Sequence, residues 1–337
     1  RRGGLEPRDV KKRIAARGLS YTGLGRLLAT LMPPQGILIL NYHRIGDGRE
    51  SPYDRELWSA DEEAFDAQMA CLARHCDVIS PGDIDTIAGR RGRHVLVTFD
   101  DGYIDNYQAA FPILRARGVP ATFFIATGFI DRPRLPWWDE IAWRVRSTAQ
   151  TRLDLRPWLP APLALGEARE DAIHAILCAF KSLQADDSAH LMARLREATG
   201  QATPERVDGL WMDWDMIREM GAAGMTIGGH TVDHPVLSRL PPERQCEEVE
   251  GCAARIRAET GRPMEYFAYP VGSPWAIDAD TRACMEAAGV RRAFSYYGGH
   301  ARADSPRFDT PRMAVEPTVA LPDLAAPFAA QSLFAAI

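Results

Sequence analysis

The hydrophobic and polar positions alternate between short, mainly apolar runs and longer stretches with apolar residues at helical spacing. Ile37–Leu40, Val95–Thr98 and Ala121–Thr127 are uncharged, mainly apolar runs rich in β-branched and aromatic residues. That is the pattern of strands buried on both faces. Shorter runs at 78–80, 226–229, 266–269 and 292–297 read the same way. Between them, 61–75 carries Phe65, Met69 and Leu72 on one helical face, and 105–117, 211–221, 240–260 and 278–289 also read as helices. Gly118 and Gly261 stand where two of these should stop, and Pro120 follows the first. A repeated strand–helix–strand rhythm argues for an α/β barrel with parallel strands.

Two regions break that rhythm. Residues 131–210 are punctuated by Pro133, Pro136, Pro157, Pro160 and Pro162, and 167–178 and 188–199 read as helices. This is an inserted helical subdomain between two parts of the barrel, 36–130 and 211–316. Trp137, Trp138 and Trp143 open it, either as a stacking platform for a ligand or as anchors of the insertion. Residues 1–35 carry eight basic against two acidic side chains, with Leu24, Leu27, Leu28 and Leu31 at helical spacing. Two readings stand: an amphipathic helix in peripheral contact with an anionic membrane surface, or a helix docked on the barrel. The tail, 317–337, is Ala- and Pro-rich without recognisable chemistry.

Composition changes this picture little. A 337-residue chain with 46% hydrophobic and 25% charged residues is ordinary for a globular protein. A net charge of −5 and an isoelectric point near 6.0 speak against a nucleic-acid partner. The longest apolar runs are too short for a membrane span. Six scattered cysteines (Cys71, Cys76, Cys178, Cys246, Cys252 and Cys284) form no CxxC pair and read as reduced thiols. They point to a reducing, cytoplasmic setting, with membrane association through residues 1–35. The chain opens on Arg1, so an upstream signal is an open question.

The chemistry sits at strand ends. Asp100 and Asp101 follow the Val95 strand, and Gly102 allows a sharp turn. At a strand end, two carboxylates can converge, and like charges so close need a cation or they split in pKa. The alternative is a solvated Asp-Gly turn. His230 and His234 follow the strand at 226–229 at a spacing that puts both imidazoles on one side. Two His and one carboxylate make an open metal site. The alternative is a pair of turn histidines. Placement of both motifs at strand ends is what a barrel active site requires.

Thr98, Phe99, Asp100, Asp101 and Gly102, then His230, Thr231 and His234, then Tyr269, Pro270, Val271 and Gly272 resemble the successive motifs of the polysaccharide deacetylases. These are the NodB-homology enzymes of carbohydrate esterase family 4. The resemblance covers roughly 36–130 and 211–315. It implies a distorted (β/α) barrel of the NodB-homology type and hydrolysis of the N-acetyl group of an amino sugar. It further implies a divalent metal, zinc foremost with cobalt or nickel as alternatives, held by Asp101, His230 and His234. Asp100 would be the general base and the Val271 N–H an oxyanion donor, unless the Pro270 turn is a plain loop. Tyr103, Tyr269 and Pro270 would line the substrate, and Trp137 and Trp138, which lie in the insertion outside the resemblance, would join them if the tryptophans form a stacking platform for sugar rings. Tyr42 and His43 close the first strand, as in a subgroup similar to the poly-N-acetylglucosamine deacetylases, where such a histidine is the general acid.

The chain departs from the family pattern at three points. Ala268 stands where many members have a base-orienting Arg, Val271 replaces an aromatic residue, and the late Leu-x-His motif is absent. His300 competes with His43 as general acid, and Asp309 and Arg312 are candidates to support the base. The substrate could be a polymer, an oligosaccharide, or a lipid- or nucleotide-linked sugar carrying acetyl or formyl. Two distant alternatives are a non-haem iron oxygenase and a non-catalytic carbohydrate-binding barrel.

Overall fold

A computed structural model of the protein describes residues 35–317, so the basic arm and most of the tail lie outside the described residues. The strands in chain order are β1 (Ile37–Tyr42), β2 (Arg44–Ile45), β3 (Trp58–Ala60), β4 (Asp77–Val78), β5 (His94–Phe99), β6 (Ala121–Ile125), β7 (Arg152–Leu153), β8 (Leu163–Ala164), β9 (Thr226–Gly229), β10 (Tyr266–Ala268), β11 (Arg292–Phe294), β12 (His300–Ala301) and β13 (Met313–Ala314). The main sheet runs β11-β10-β9-β6-β5-β1-β12, with β4 against the start of β5 and β13 against the end of β1. Every pairing in this sheet is parallel except β1–β12.

The sheet is a curled half-barrel, and the segment 307–314 spans from one side to the other. Ala293 donates to Arg307 O, Thr310 to Ala293 O and Ser295 to Thr310 O, so this segment pairs with β11. Three residues later Met313 sits beside Leu40 of β1. Ile37, Ile39, Leu96, Phe124, Tyr266 and Phe294 pack inside the curl. The remaining core lies between the sheet and its helices.

The helices follow from local chemistry. Asp61 accepts from Ala64 N at the start of Glu62–His75, and Asp213 from Met216 N at the start of Trp214–Ala222. Gly118 and Gly261 adopt the left-handed conformation that ends Phe111–Arg117 and Pro242–Thr260. Gly228 and Gly229 of β9 are required by space: a Cβ at the first would strike Phe124 and the Tyr266 carbonyl, and at the second Met264 and Cys252. The 105–117 helix opens with a π turn, Asn106–Ala110, and Thr127, placed in a strand by its β-branched run, instead begins the short helix Thr127–Asp131. Residues 131–210 contribute helices Trp137–Ser147, Arg169–Ser182 and Ala185–Thr199 and the small antiparallel pair β7–β8.

The cysteine reading is corrected for one pair. Cys246 and Cys284 are disulfide-bonded, with Cα atoms 4.9 Å apart, on the packed helices Pro242–Thr260 and Ala279–Ala287. Helix packing, which spacing does not reveal, brings them within bridging distance. Cys71, Cys76, Cys178 and Cys252 are free. The argument for a reducing compartment lapses with that correction.

Candidate active site

Four strand ends on one rim of the sheet deliver the side chains. β1 leads into His43, β5 into Asp100 and Asp101, β9 into His230, and β10 into the turn at Val271. All of these residues and His234 line one open cleft of about 670 Å³. Among the described residues, the non-glycine residues at positive φ are Asp101 (76°), Thr231 (68°), His234 (55°) and Val271 (63°). Each lies in a loop of this cleft. Strained backbone confined to one place marks loops held for a task, and for β-branched Val271 and Thr231 it is unusually costly.

Asp101, His230 and His234 form a buried cluster whose ligand atoms lie within 4.8 Å of one another. Nε2 of His230 is 3.4 Å and Nε2 of His234 3.3 Å from Asp101 Oδ1. That oxygen is buried and makes no hydrogen bond of acceptable geometry. His230 Nδ1 donates to the Ala268 carbonyl at 2.7 Å, which turns the Nε2 lone pair toward Asp101. An orphaned carboxylate oxygen facing two imidazole nitrogens fits a divalent cation better than it fits a purely organic pocket. Burial pushes the Asp101 carboxyl upward, but the two adjoining imidazoles outweigh it and hold the group well below the usual carboxylate range.

The histidine loop is pinned from behind. The Glu248 carboxylate accepts from Val232 N and Asp233 N at 2.9 Å each, and Thr231 Oγ1 from His234 N at 2.8 Å. Arg134 pairs with Asp233 at 2.6 Å, and Trp137 Nε1 donates to the His234 carbonyl. Trp138 lies 4.3 Å from the His234 ring, centroid to centroid. Both tryptophans are therefore committed to protein contacts, Trp137 stacking on Phe180 as well.

Asp100 is clamped by Arg312. The guanidinium donates to both carboxylate oxygens at 2.7 Å and to Asn41 Oδ1 at 2.7 Å, while its Nε reaches the Ser295 carbonyl. Asn41 Nδ2 donates to Asp100 at 3.1 Å. Arg312 is fully buried. Burial alone would raise the Asp100 pKa, but the Arg312 charge and hydrogen bonds reverse that and lower it. β10 carries Ala268 and no arginine at this point, and the arginine paired with Asp100 comes from the segment that bridges β11 and β1.

His43 is fixed through its backbone, its N–H donating to Ser59 Oγ and its carbonyl accepting from Asn106 Nδ2 of the π turn. Its ring meets Tyr296 edge-on at 5.8 Å. His300 is elsewhere: it pairs with Leu38 near the start of β1, the far end of the sheet from the cleft. Asp309 takes the Tyr297 hydroxyl and lies near Arg282.

Of the residues expected at the substrate, Trp137, Trp138 and Tyr269 line the cleft, whereas Tyr103 and Pro270 do not. Tyr103 is fully buried, its hydroxyl donating to Asp139 and accepting from Trp138 Nε1. Tyr269 lines the cleft floor but is almost wholly buried, with its hydroxyl on the Phe308 carbonyl. Pro270 is buried and shapes the turn without lining the cleft. Tyr103 found partners in the core, which a motif does not reveal. Sequence reading also missed Asn41, Glu248 and Asn106. Only Glu248 left a trace, an acidic residue on the inner face of an amphipathic helix.

The polysaccharide deacetylase family model matches residues 88–293. The chain belongs to the polysaccharide deacetylase family. Its members hydrolyse amide bonds of carbohydrates. Among curated proteins, YxkH of Bacillus subtilis (strain 168), a polysaccharide deacetylase by name, is 32% identical over 97 residues, 27% of this chain and 32% of that protein. The match therefore spans about a third of the relative's length. Among solved structures, the Streptococcus pyogenes deacetylase PplD in complex with acetate superposes with a TM-score of 0.59 at 18% identity, over 88% of this chain and 99% of that one. IcaB from Ammonifex degensii gives 0.56 at 21%, over 88% and 98%. At such identities these two show that the fold is shared.

Proposed function

We propose that this deacetylase is a metal-dependent hydrolase of the N-acetyl group of an amino sugar, in a polysaccharide, oligosaccharide or glycan precursor. The observation that carries the reading is the juxtaposition, in one cleft, of an Asp–His–His cluster with an orphaned oxygen and a separate carboxylate clamped by a buried arginine. Asp101, His230 and His234 would hold a divalent cation, zinc foremost. When bound, such an ion supplies Lewis acidity to the acyl oxygen and lowers the pKa of an attacking water.

The chain's own groups do the rest. Asp100, kept ionised by Arg312, takes a proton from the attacking water. Arg312 and Asn41 fix its orientation, so little reorganisation precedes the transfer. The Val271 N–H makes no hydrogen bond among the described residues, and it donates to the developing oxyanion. His43 delivers a proton to the departing amine as the carbon–nitrogen bond breaks, leaving acetate and a free amino sugar.

The deciding experiment is acetate release from N-acetylglucosamine oligomers by wild type and Asp100→Asn, with and without chelator. Chelator-sensitive release that disappears in the variant is the expected result. No release from protein that binds metal tightly overturns the reading and directs attention to lipid- or nucleotide-linked sugars and to other acyl groups. The Cys246–Cys284 bond supports an oxidising compartment. Peripheral membrane contact by residues 1–35 belongs to the same proposal and is tested by sedimentation with anionic vesicles.

A further inference from the structure

Trp275 is the one tryptophan at the cleft whose ring the fold leaves open. It is 46% exposed, whereas Trp137 and Trp138 are held by His234, Phe180 and Tyr103. Trp211 and Trp214 donate to the Arg134 carbonyl and to Asp131. Among the described residues the other large exposed hydrophobic residue is Tyr297, whose hydroxyl is taken by Asp309.

The position of Trp275 is nonetheless rigid. It sits in the 3₁₀ turn Pro274–Ala276, preceded by a proline and followed by buried Ala276 and Ile277. Its carbonyl accepts from Ser238 Oγ at 2.9 Å, and the Arg239 guanidinium lies 5.3 Å from its ring centroid. Such a cation favours one tilt of the ring by about 0.5–1 kcal/mol. Trp275 lines the same cleft as Asp100, Asp101 and Val271. It stands four positions after Val271, a reach of at most roughly 14 Å.

Leaving a tryptophan ring in water forgoes hydrophobic stabilisation that the fold could have recovered by burying it. A fixed aromatic face beside a reacting centre suits a flat, partly apolar ligand, and the C–H face of a pyranose is one. We propose that Trp275 is a stacking platform for the sugar next to the one being deacetylated, so that the substrate presents at least two linked pyranose rings. This rests on the deacetylase reading above and deepens it: an oligosaccharide or polysaccharide is favoured over a single sugar on a nucleotide carrier.

The test is calorimetric binding of N-acetylglucosamine and its dimer, trimer and tetramer to zinc-loaded wild type, Trp275→Ala and Trp275→Phe. Kinetics of acetate release are measured on the same ligands. Wild-type affinity rises with chain length. Trp275→Ala lowers the tetramer-to-monomer affinity ratio about tenfold, equivalent to about 1.4 kcal/mol, and Trp275→Phe restores most of it. Circular dichroism confirms folding, which a half-exposed side chain leaves intact. An identical length dependence in wild type and Trp275→Ala overturns the proposal, as does Trp275-dependent binding of UDP-N-acetylglucosamine without length-dependent oligomer binding. Acetate release without a Trp275 effect sinks this inference and leaves the deacetylase reading standing. A Trp275-dependent length series without acetate release overturns the deacetylase reading, and with it the place of the stacked sugar beside a reacting one, while Trp275 keeps only the role of a sugar-binding platform.

Discussion

Replacing Arg312 by Met isolates the clamp on Asp100. The guanidinium is fully buried and donates to both carboxylate oxygens at 2.7 Å, so the substitution strands a buried carboxylate. Removing one partner of such a pair costs about 3–5 kcal/mol, because the remaining charge is neither solvated nor paired. For a domain of this size that lowers the melting temperature by roughly 6–20 °C. The pH dependence separates this cause from simple loss of packing. In wild type the Asp100 pKa is lowered, so the pair stabilises the fold above the usual carboxylate range and loses that contribution as pH falls below it. In Arg312→Met, burial without a counter-charge raises the pKa, so the variant carries its penalty near neutrality and sheds it on acidification. Thermal melts of chelator-treated protein between pH 4 and 8 should therefore show a gap that is widest near pH 7 and narrows toward pH 4. Arg312→Met combined with Asp100→Leu should recover most of the lost stability while remaining inactive. A single variant that melts like wild type, or a gap that does not change with pH, would refute the argument that Arg312 holds an ionised base.

Three further outcomes follow from other contacts. Burial pushes the Asp139 carboxyl up to about 7 despite hydrogen bonds from Tyr103 and Asp54 N. Its raised pKa means stability present below about pH 4 and lost as pH rises through about 7; Asp139→Asn should flatten that slope in denaturant titrations, and an unchanged slope assigns it to other groups. The disulfide spans a 38-residue separation, and Cys246→Ser with Cys284→Ser should cost about 4 kcal/mol in the chain-entropy description. Alkylation of unreduced protein followed by mass spectrometry should count four free thiols, and six would contradict the bond. Glu248→Gln keeps the shape but weakens the acceptor for Val232 and Asp233, so zinc affinity measured by competition with a chelator should fall about 10- to 100-fold; unchanged affinity would show that the loop holds itself.

The sequence alone determined the α/β class, most helix and strand positions, and the placement of Asp100, Asp101 and His230 at strand ends. These are local matters, because an unbroken apolar run, a capping aspartate and a terminal glycine each act within a few residues. The family was legible for the same reason, since its motifs are short and contiguous. What only the tertiary structure decided is who meets whom. Arg312 reaches Asp100 across 212 residues, because the bridging segment 307–314 pairs with both β11 and β1. His43 and His300 are equal as letters, yet strand register puts one in the cleft and the other at the far end of the sheet. Tyr103 read as a substrate contact and is instead buried against Trp138 Nε1 and Asp139, while Trp275, unremarked in its turn, kept its exposure. Cys246 and Cys284 carry no pairing signal until two helices pack. Composition and periodicity fix what a residue is beside in the chain; burial and charge pairing depend on contacts that only the folded sheet creates.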